Sequence, residues 1–158
     1  MLLKNVIQED FSNYKTCAMF LGFPSCNWKC ERDCGIKGLC QNAILAQAPT
    51  MEVPVAKLLL MYQDNPLSSA IVCGGLEPFD SWSDLKYLVE TFRVVVSDPI
   101  IIYTGYTPEE IIDKVAWLKG FPNIIIKFGR FIPNGRPRYD EVLGVKLASD
   151  NQYAERIS

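Results

Sequence analysis

Four of the chain's six cysteines fall in one short stretch, Cys26-Asn-Trp-Lys-Cys30-Glu-Arg-Asp-Cys34-Gly-Ile-Lys-Gly-Leu-Cys40, separated by three, three and five residues. Thiolates are soft ligands that suit zinc and iron-sulfur clusters, so the chemistry this grouping predicts is a metal centre. No Cys-x-x-Cys pair occurs, which disfavours a thioredoxin-like redox motif. Two arrangements fit the spacing. All four thiolates can close a structural zinc site, or three of them can hold a four-iron cluster and leave one iron open to a small molecule. The second is preferred because the cysteines lie in one loop, whereas structural zinc sites commonly join two separated knuckles. Histidine is absent from the 158 residues. That removes the usual general base near neutral pH, the Ser-His and Cys-His nucleophile pairs and every imidazole-bearing zinc site. Chemistry here must come from elsewhere, and a cofactor is the natural supplier.

The elements that position this stretch are read from periodicity. Thr16–Phe23 is apolar and compact, a buried strand from whose carboxyl end the cysteine loop departs, the end where α/β proteins bind ligands. Cys17 belongs to its packing. Thr50–Asp64 is expected to be a helix with Pro54 in the first turn and Val55, Leu58, Leu59 and Tyr62 on one face. Ser69–Gly75 follows as a second strand ending on Gly74-Gly75. The next helix is capped by Asp80 or Ser81 and buries Leu85, Leu88, Val89 and Phe92. A third strand, Ile100–Tyr103, runs into Thr104-Gly105-Tyr106. Thr107-Pro-Glu-Glu110 is a capping box opening a helix that turns Ile111, Ile112, Val115 and Leu118 inward. A fourth strand covers Ile124–Phe128, and the tail from Gly129 is expected to be mostly loop. The β-α alternation predicts an α/β fold with mainly parallel strands, Rossmann-like or a complete or partial barrel.

Composition bounds the rest. With 49% hydrophobic residues and a single expected domain over 1–158, the chain is long enough to bury a core without covalent staples. Sixteen basic against eighteen acidic residues leave a net charge of -2, which argues against nucleic acid as a partner. The first residues lack a signal-peptide pattern and no apolar run is of membrane-spanning length, so a cytoplasmic location is expected. In a reducing cytosol the cysteines are thiols or metal ligands rather than disulfides.

Several segments, in order, carry a resemblance: Glu9-Asp-Phe-Ser-Asn-Tyr14, the cysteine loop closing on Cys40-Gln-Asn42, Gly74-Gly-Leu-Glu-Pro78, Tyr103-Thr-Gly-Tyr106, Gly129-Arg-Phe131 and Ser149-Asp-Asn-Gln152. Together they resemble the radical S-adenosylmethionine (SAM) activases of anaerobic ribonucleotide reductase, over nearly the whole chain. The resemblance implies a short, partial (β/α) barrel of mainly parallel strands with the cluster loop after the first strand. It implies a [4Fe-4S] cluster and SAM as cofactors, reductive cleavage of SAM, and a glycyl radical formed on the reductase large subunit. A small electron-donor protein such as flavodoxin is the other implied partner.

The family's cluster motif is Cys-x3-Cys-x2-Cys. Cys26 and Cys30 match its first two positions, but position 33 carries aspartate. Cys40 is the expected third ligand because Gln41 and Asn42 keep the family's flanking residues; Cys34 is the alternative. The cofactor is expected against Gly74, Gly75, Glu77, Thr104 and Gly105, with a leucine inserted where the family has Gly-Gly-Glu/Asp-Pro. No catalytic side chain is assigned beyond the cluster. Trp28 is a candidate shield for the cluster, and Arg130, Arg136 and Arg138 are either partner contacts or a solvated surface. A maturase of another protein, or a non-enzymatic zinc or iron-sulfur protein, are the rival readings.

Overall fold

A computed structural model describes all 158 residues. The elements in chain order are β1 (Leu2–Leu3), β2 (Asn5–Asp10), β3 (Ala18–Phe23), α1 (Lys29–Cys34), α2 (Ala43–Gln47), β4 (Met51–Glu52), α3 (Val55–Gln63), β5 (Ile71–Gly75), α4 (Trp82–Arg93), β6 (Ile100–Tyr103), α5 (Ile112–Leu118), β7 (Ile124–Phe128), β8 (Arg138–Asp140), β9 (Val145–Leu147) and β10 (Tyr153–Arg156). Short 3-10 turns, Pro78–Ser81 and Pro108–Ile111, lead into α4 and α5.

The fold is mixed α/β around a mostly parallel sheet in the order β10-β7-β6-β5-β3-β2. Strands β3, β5, β6 and β7 are parallel, and β2 and β10 close the two edges antiparallel. The sheet is open and does not close into a barrel. Each successive parallel strand is added on the same side of the last, so crossovers of one hand deliver their helices to one face. The cores follow this rule. Residues of α3, α4 and α5, among them Leu58, Leu88, Phe92 and Leu118, pack with Met19, Leu21, Ile71, Cys73, Ile100, Ile102, Ile124 and Ile126 in one cluster of 22 buried residues. The opposite face holds a cluster of only eight, in which Ala18, Val72, Ile101 and Ile125 meet Tyr14, Leu143 and Leu147.

The four parallel strands lie where periodicity puts them, and four expectations need correction. The region Thr50–Asp64 is not one helix. Met51–Glu52 pairs with β1, the residue before Pro54 is disfavoured from helical backbone, and Pro54 caps α3 from outside at φ -60°, ψ 135°. Neither Asp80 nor Ser81 caps α4 with its side chain, although Ser81 stands at that position. The capping box at Thr107 and Glu110 is present, but it opens a 3-10 turn, and the change of pitch leaves Ile112 66% exposed. The tail after Gly129 contains three strands. Buried Asp140 organises them: one carboxylate oxygen accepts from the N–H groups of Val142 and Leu143, and the other from that of Ala154 on β10. The sequence reading also places no strand before Thr16, where β1 and β2 lie.

Candidate metal and cofactor site

The cysteine loop leaves the carboxyl end of β3 and is fastened at both ends. At its start the β3–β5 ladder continues beyond the strands, the Leu76 N–H donating to the Phe23 carbonyl at 3.1 Å and that of Glu77 to the Ser25 carbonyl at 2.8 Å. At its finish the Asn42 side chain donates to the Gly75 carbonyl. Lys4 then secures the end of α2 through the carbonyls of Ala46 and Ala48. Between these anchors α1 buries no residue and ends on Gly35 at φ 67°. Gly35 and Gly38 both have positive φ with open space around them, so the residues between α1 and Cys40 loop into solvent. The Glu31 carboxylate brings the loop back by accepting from the Cys40 N–H at 3.3 Å.

Cys26, Cys30 and Cys40 line one cavity of about 380 Å³, together with all five residues expected against the cofactor: Gly74, Gly75, Glu77, Thr104 and Gly105. That volume falls in the range of small-molecule sites. Cys34 is exposed and lines a second cavity of about 520 Å³, which it shares with Cys30. The four thiols therefore do not converge, and no three cysteine or carboxylate groups surround a point that holds a single metal ion. A four-iron cluster with an open position makes a different demand, since three of its irons take one thiolate each and the sulfurs stand apart by the width of the cluster. Three thiols on one cavity are the donor type and number that such a cluster with one open iron would take. The Trp28 N–H donates to Cys26 Sγ at 3.3 Å and the Asn42 N–H to Cys40 Sγ at 3.4 Å, the kind of hydrogen bonding that supports cluster thiolates. Trp28 adopts φ 58°, an outlying conformation for an aromatic residue, and lines neither cavity. Its backbone N–H serves Cys26, and its side chain is half-buried.

Burial pushes the Cys26 thiol up to about 11 and also raises that of Cys30, so metal uptake must displace protons from both. Cys17 and Cys73 are buried in the cores, as packing residues.

Glu77 is buried at the centre of the site. Its Oε1 accepts from Thr104 Oγ1 at 2.8 Å and from the Phe79 N–H at 3.2 Å, and Oε2 accepts from the Gly105 N–H at 2.9 Å. Loss of hydration nevertheless dominates these three bonds and raises the carboxyl to about 7. The inserted Leu76 thus leaves Glu77 in the cavity. Gly75 has φ 84°, and a Cβ there would stand 2.8 Å from the β3 backbone at Gly22 and Phe23, so glycine is required. At Gly105 a Cβ would stand 3.6 Å from Glu77 Oε2 and 3.7 Å from Cys30 Sγ, filling the cradle between them.

Sequence reasoning missed Lys127. On β7 the alternating residues Ile124, Ile126 and Phe128 face the helices, whereas Lys127 faces the cavity, buried, with Nζ donating to the Gly129 carbonyl at 2.9 Å. Burial lowers its ammonium to about 8. A single lysine inside Ile-Ile-Ile-Lys-Phe was the available signal. Of the tail arginines, Arg136 and Arg138 are exposed and form no ion pair, whereas Arg130 is drawn in against Glu110 and Asp33.

Comparison with known proteins adds no relative: no family model, no curated protein and no solved structure matches the chain.

Proposed function

We propose that the protein is a radical SAM activase that holds a [4Fe-4S] cluster on Cys26, Cys30 and Cys40 and generates a glycyl radical on the large subunit of an anaerobic ribonucleotide reductase. One observation carries the reading: three thiols and the five residues expected against the cofactor, from three separate segments, line a single cavity, and Cys34 lines another. The finer architecture belongs to this proposal too. Helices packed against one face of a singly wound sheet match an opened, partial (β/α) barrel, since a doubly wound sheet carries helices on both.

When bound, the cluster with SAM supplies one-electron cleavage of a carbon-sulfur bond, and through it removal of a hydrogen atom from a glycine Cα. The chain's own residues bind and position. Gly74 and Gly75 present backbone without an intervening Cβ, and Glu77 offers a carboxylate to an amino group. Binding a cation there favours the ionised form of Glu77. Lys127 is the buried positive charge available to a carboxylate. Phe20 and Tyr103 form apolar walls, and Leu147 of β9 helps to exclude water from below. The protein works in the cytoplasm and takes its electron from a small donor protein such as flavodoxin.

The test is anaerobic reconstitution with iron and sulfide, followed by reduction in the presence of SAM and assay of 5′-deoxyadenosine. Cys34→Ala is expected to keep both cluster and cleavage, and Cys40→Ala to lose both. The reverse pattern would reassign the third ligand, and a colourless protein holding one zinc would sink the reading.

A further inference from the structure

Three parallel strands each send one residue from their carboxyl end to the cysteine loop. After β5, Asp80 accepts from the Asn27 N–H at 2.7 Å. After β6, Tyr106 donates to Asp80 at 2.6 Å and also accepts from the Asn27 side chain. After β7, Arg130 lies over the Tyr106 ring, 5.6 Å from its centroid, with Nη2 2.7 Å from Glu110 Oε1 and Nε 3.6 Å from Asp33 Oδ2. The first two links are neutral or anionic. Arg130 is different, because it brings a permanent positive charge into a cavity that Cys30 also lines. Arg130 and Cys30 flank the same glycine: a Cβ on Gly105 would touch Arg130 Cγ at 3.5 Å and Cys30 Sγ at 3.7 Å. Both residues line the 520 Å³ cavity, which Cys30 also joins to the wall of the cofactor cavity. The Arg130 side chain is only 16% exposed, so water screens its charge poorly.

We propose that Arg130 is a positioning residue whose guanidinium, held by Glu110 and Asp33 in the cavity that Cys30 also lines, sets the reduction potential of the cluster. The inference rests on the three-thiolate cluster reading. The step it governs is a one-electron reduction: a one-electron donor loses an electron, the cluster gains it, and no bond or proton moves. The cluster's charge falls by one, so a neighbouring cation stabilises the reduced form and raises the potential, and a neighbouring anion does the reverse. Asp33 is bound to Lys29 at 2.8 Å, which leaves Glu110 as the closer counter-charge on the guanidinium.

The experiment is a potentiometric titration of the reconstituted full chain, with dithionite as reductant and the paramagnetic signal of the reduced cluster as readout. At a fixed potential, Arg130→Gln is expected to lower the ratio of reduced to oxidised cluster about tenfold, about 59 mV for a one-electron couple. Arg130→Lys keeps the charge and should stay within about twofold of the parent. Glu110→Gln retains an acceptor for the Thr107 N–H while removing the counter-charge, and should shift the ratio upward, roughly threefold. A purely structural role predicts no such change of sign. Equal potentials in the parent, Arg130→Gln and Arg130→Lys at equal iron content overturn the inference and leave the cluster reading intact. If Arg130→Gln loses iron, Glu110→Gln decides: a rise supports the inference, and an unchanged potential overturns it. A parent chain that takes up no cluster overturns the reading beneath it.

Discussion

The two faces of the central sheet share the same strands and follow opposite rules. Toward the helices, β3, β5, β6 and β7 present Met19, Leu21, Phe23, Ile71, Cys73, Ile100, Ile102, Ile124, Ile126 and Phe128, apolar from one end of each strand to the other. Toward the other side each strand changes character along its length. Near the amino ends the residues are Ala18, Val72, Ile101 and Ile125. Near the carboxyl ends they become Gly22, Gly74, Tyr103 and Lys127, each small or tipped by a polar group, and the last three line the cavity with the thiols. Side chains alternate with a period of two, so a single strand can build a core on one face and a binding site on the other. The lesson is a division of labour: stability resides mainly on the helix-covered face, and the carboxyl half of the open face gives up burial of apolar surface to gain chemistry.

That contrast can be broken by substitution. Phe92→Ala removes a fully buried ring from the helix-covered face and is expected to lose about 3 to 5 kcal/mol in equilibrium denaturation of the metal-free chain. A small loss there would mean the two faces do not differ in this way.

On the open face the prediction concerns pH. Glu77 is raised from 4.5 to about 7, so the folded chain holds a proton that the unfolded chain has released. Stability is therefore fully present below pH 4.5 and falls as pH rises to 7, by about 3 kcal/mol at most. No histidine titrates in that window to mask the effect. Thermal unfolding of the metal-free chain between pH 5 and 7 should show the decline, and Glu77→Gln should flatten it. A parent chain whose stability is constant over this range would show that Glu77 is already ionised.

Gly105→Ala sharpens the comparison further. The new methyl meets its neighbours at ordinary contact distance, so the unfolding temperature should barely change while affinity for SAM, the proposed cofactor, falls about tenfold, roughly 1.4 kcal/mol. Equilibrium dialysis against the reconstituted chain measures it. Smallest of all, Ile112→Ser on the exposed side of α5 should alter stability by less than about 0.5 kcal/mol, despite lying on a face the periodicity assigns to the core.

Local patterns were legible wherever one interaction decides the outcome. Thr107, Pro108 and Glu110 build their capping box from groups within four residues, and the apolar runs at Ile100 and Ile124 have few alternatives to a buried strand. Strands β8 and β9 were not legible, because three residues are too few to show a period and their order depends on Asp140 reaching Ala154 across the fold. Ile112 was misplaced for a related reason: a 3-10 turn precedes it, and its tighter pitch shifts the phase of the helix.

For the candidate site, residue types and order determined the proposed thiol chemistry, and the exclusion of histidine chemistry with it. They also placed the cysteine loop at the carboxyl end of a strand. They left Cys34 and Cys40 as rivals, because spacing along a loop does not say where the loop returns. In the structure Cys34 is exposed on the cavity that Arg130 also lines, and Cys40 returns to the other cavity through Glu31 and Asn42, which is the placement the proposed ligand set draws on. The structure alone reveals Lys127 as a cavity residue and Arg130 as a neighbour of Cys30, since both roles depend on which face and which neighbouring loops a side chain meets. Linear sequence carries the chemistry of the groups; only the packing of distant strands and loops decides which groups share a space.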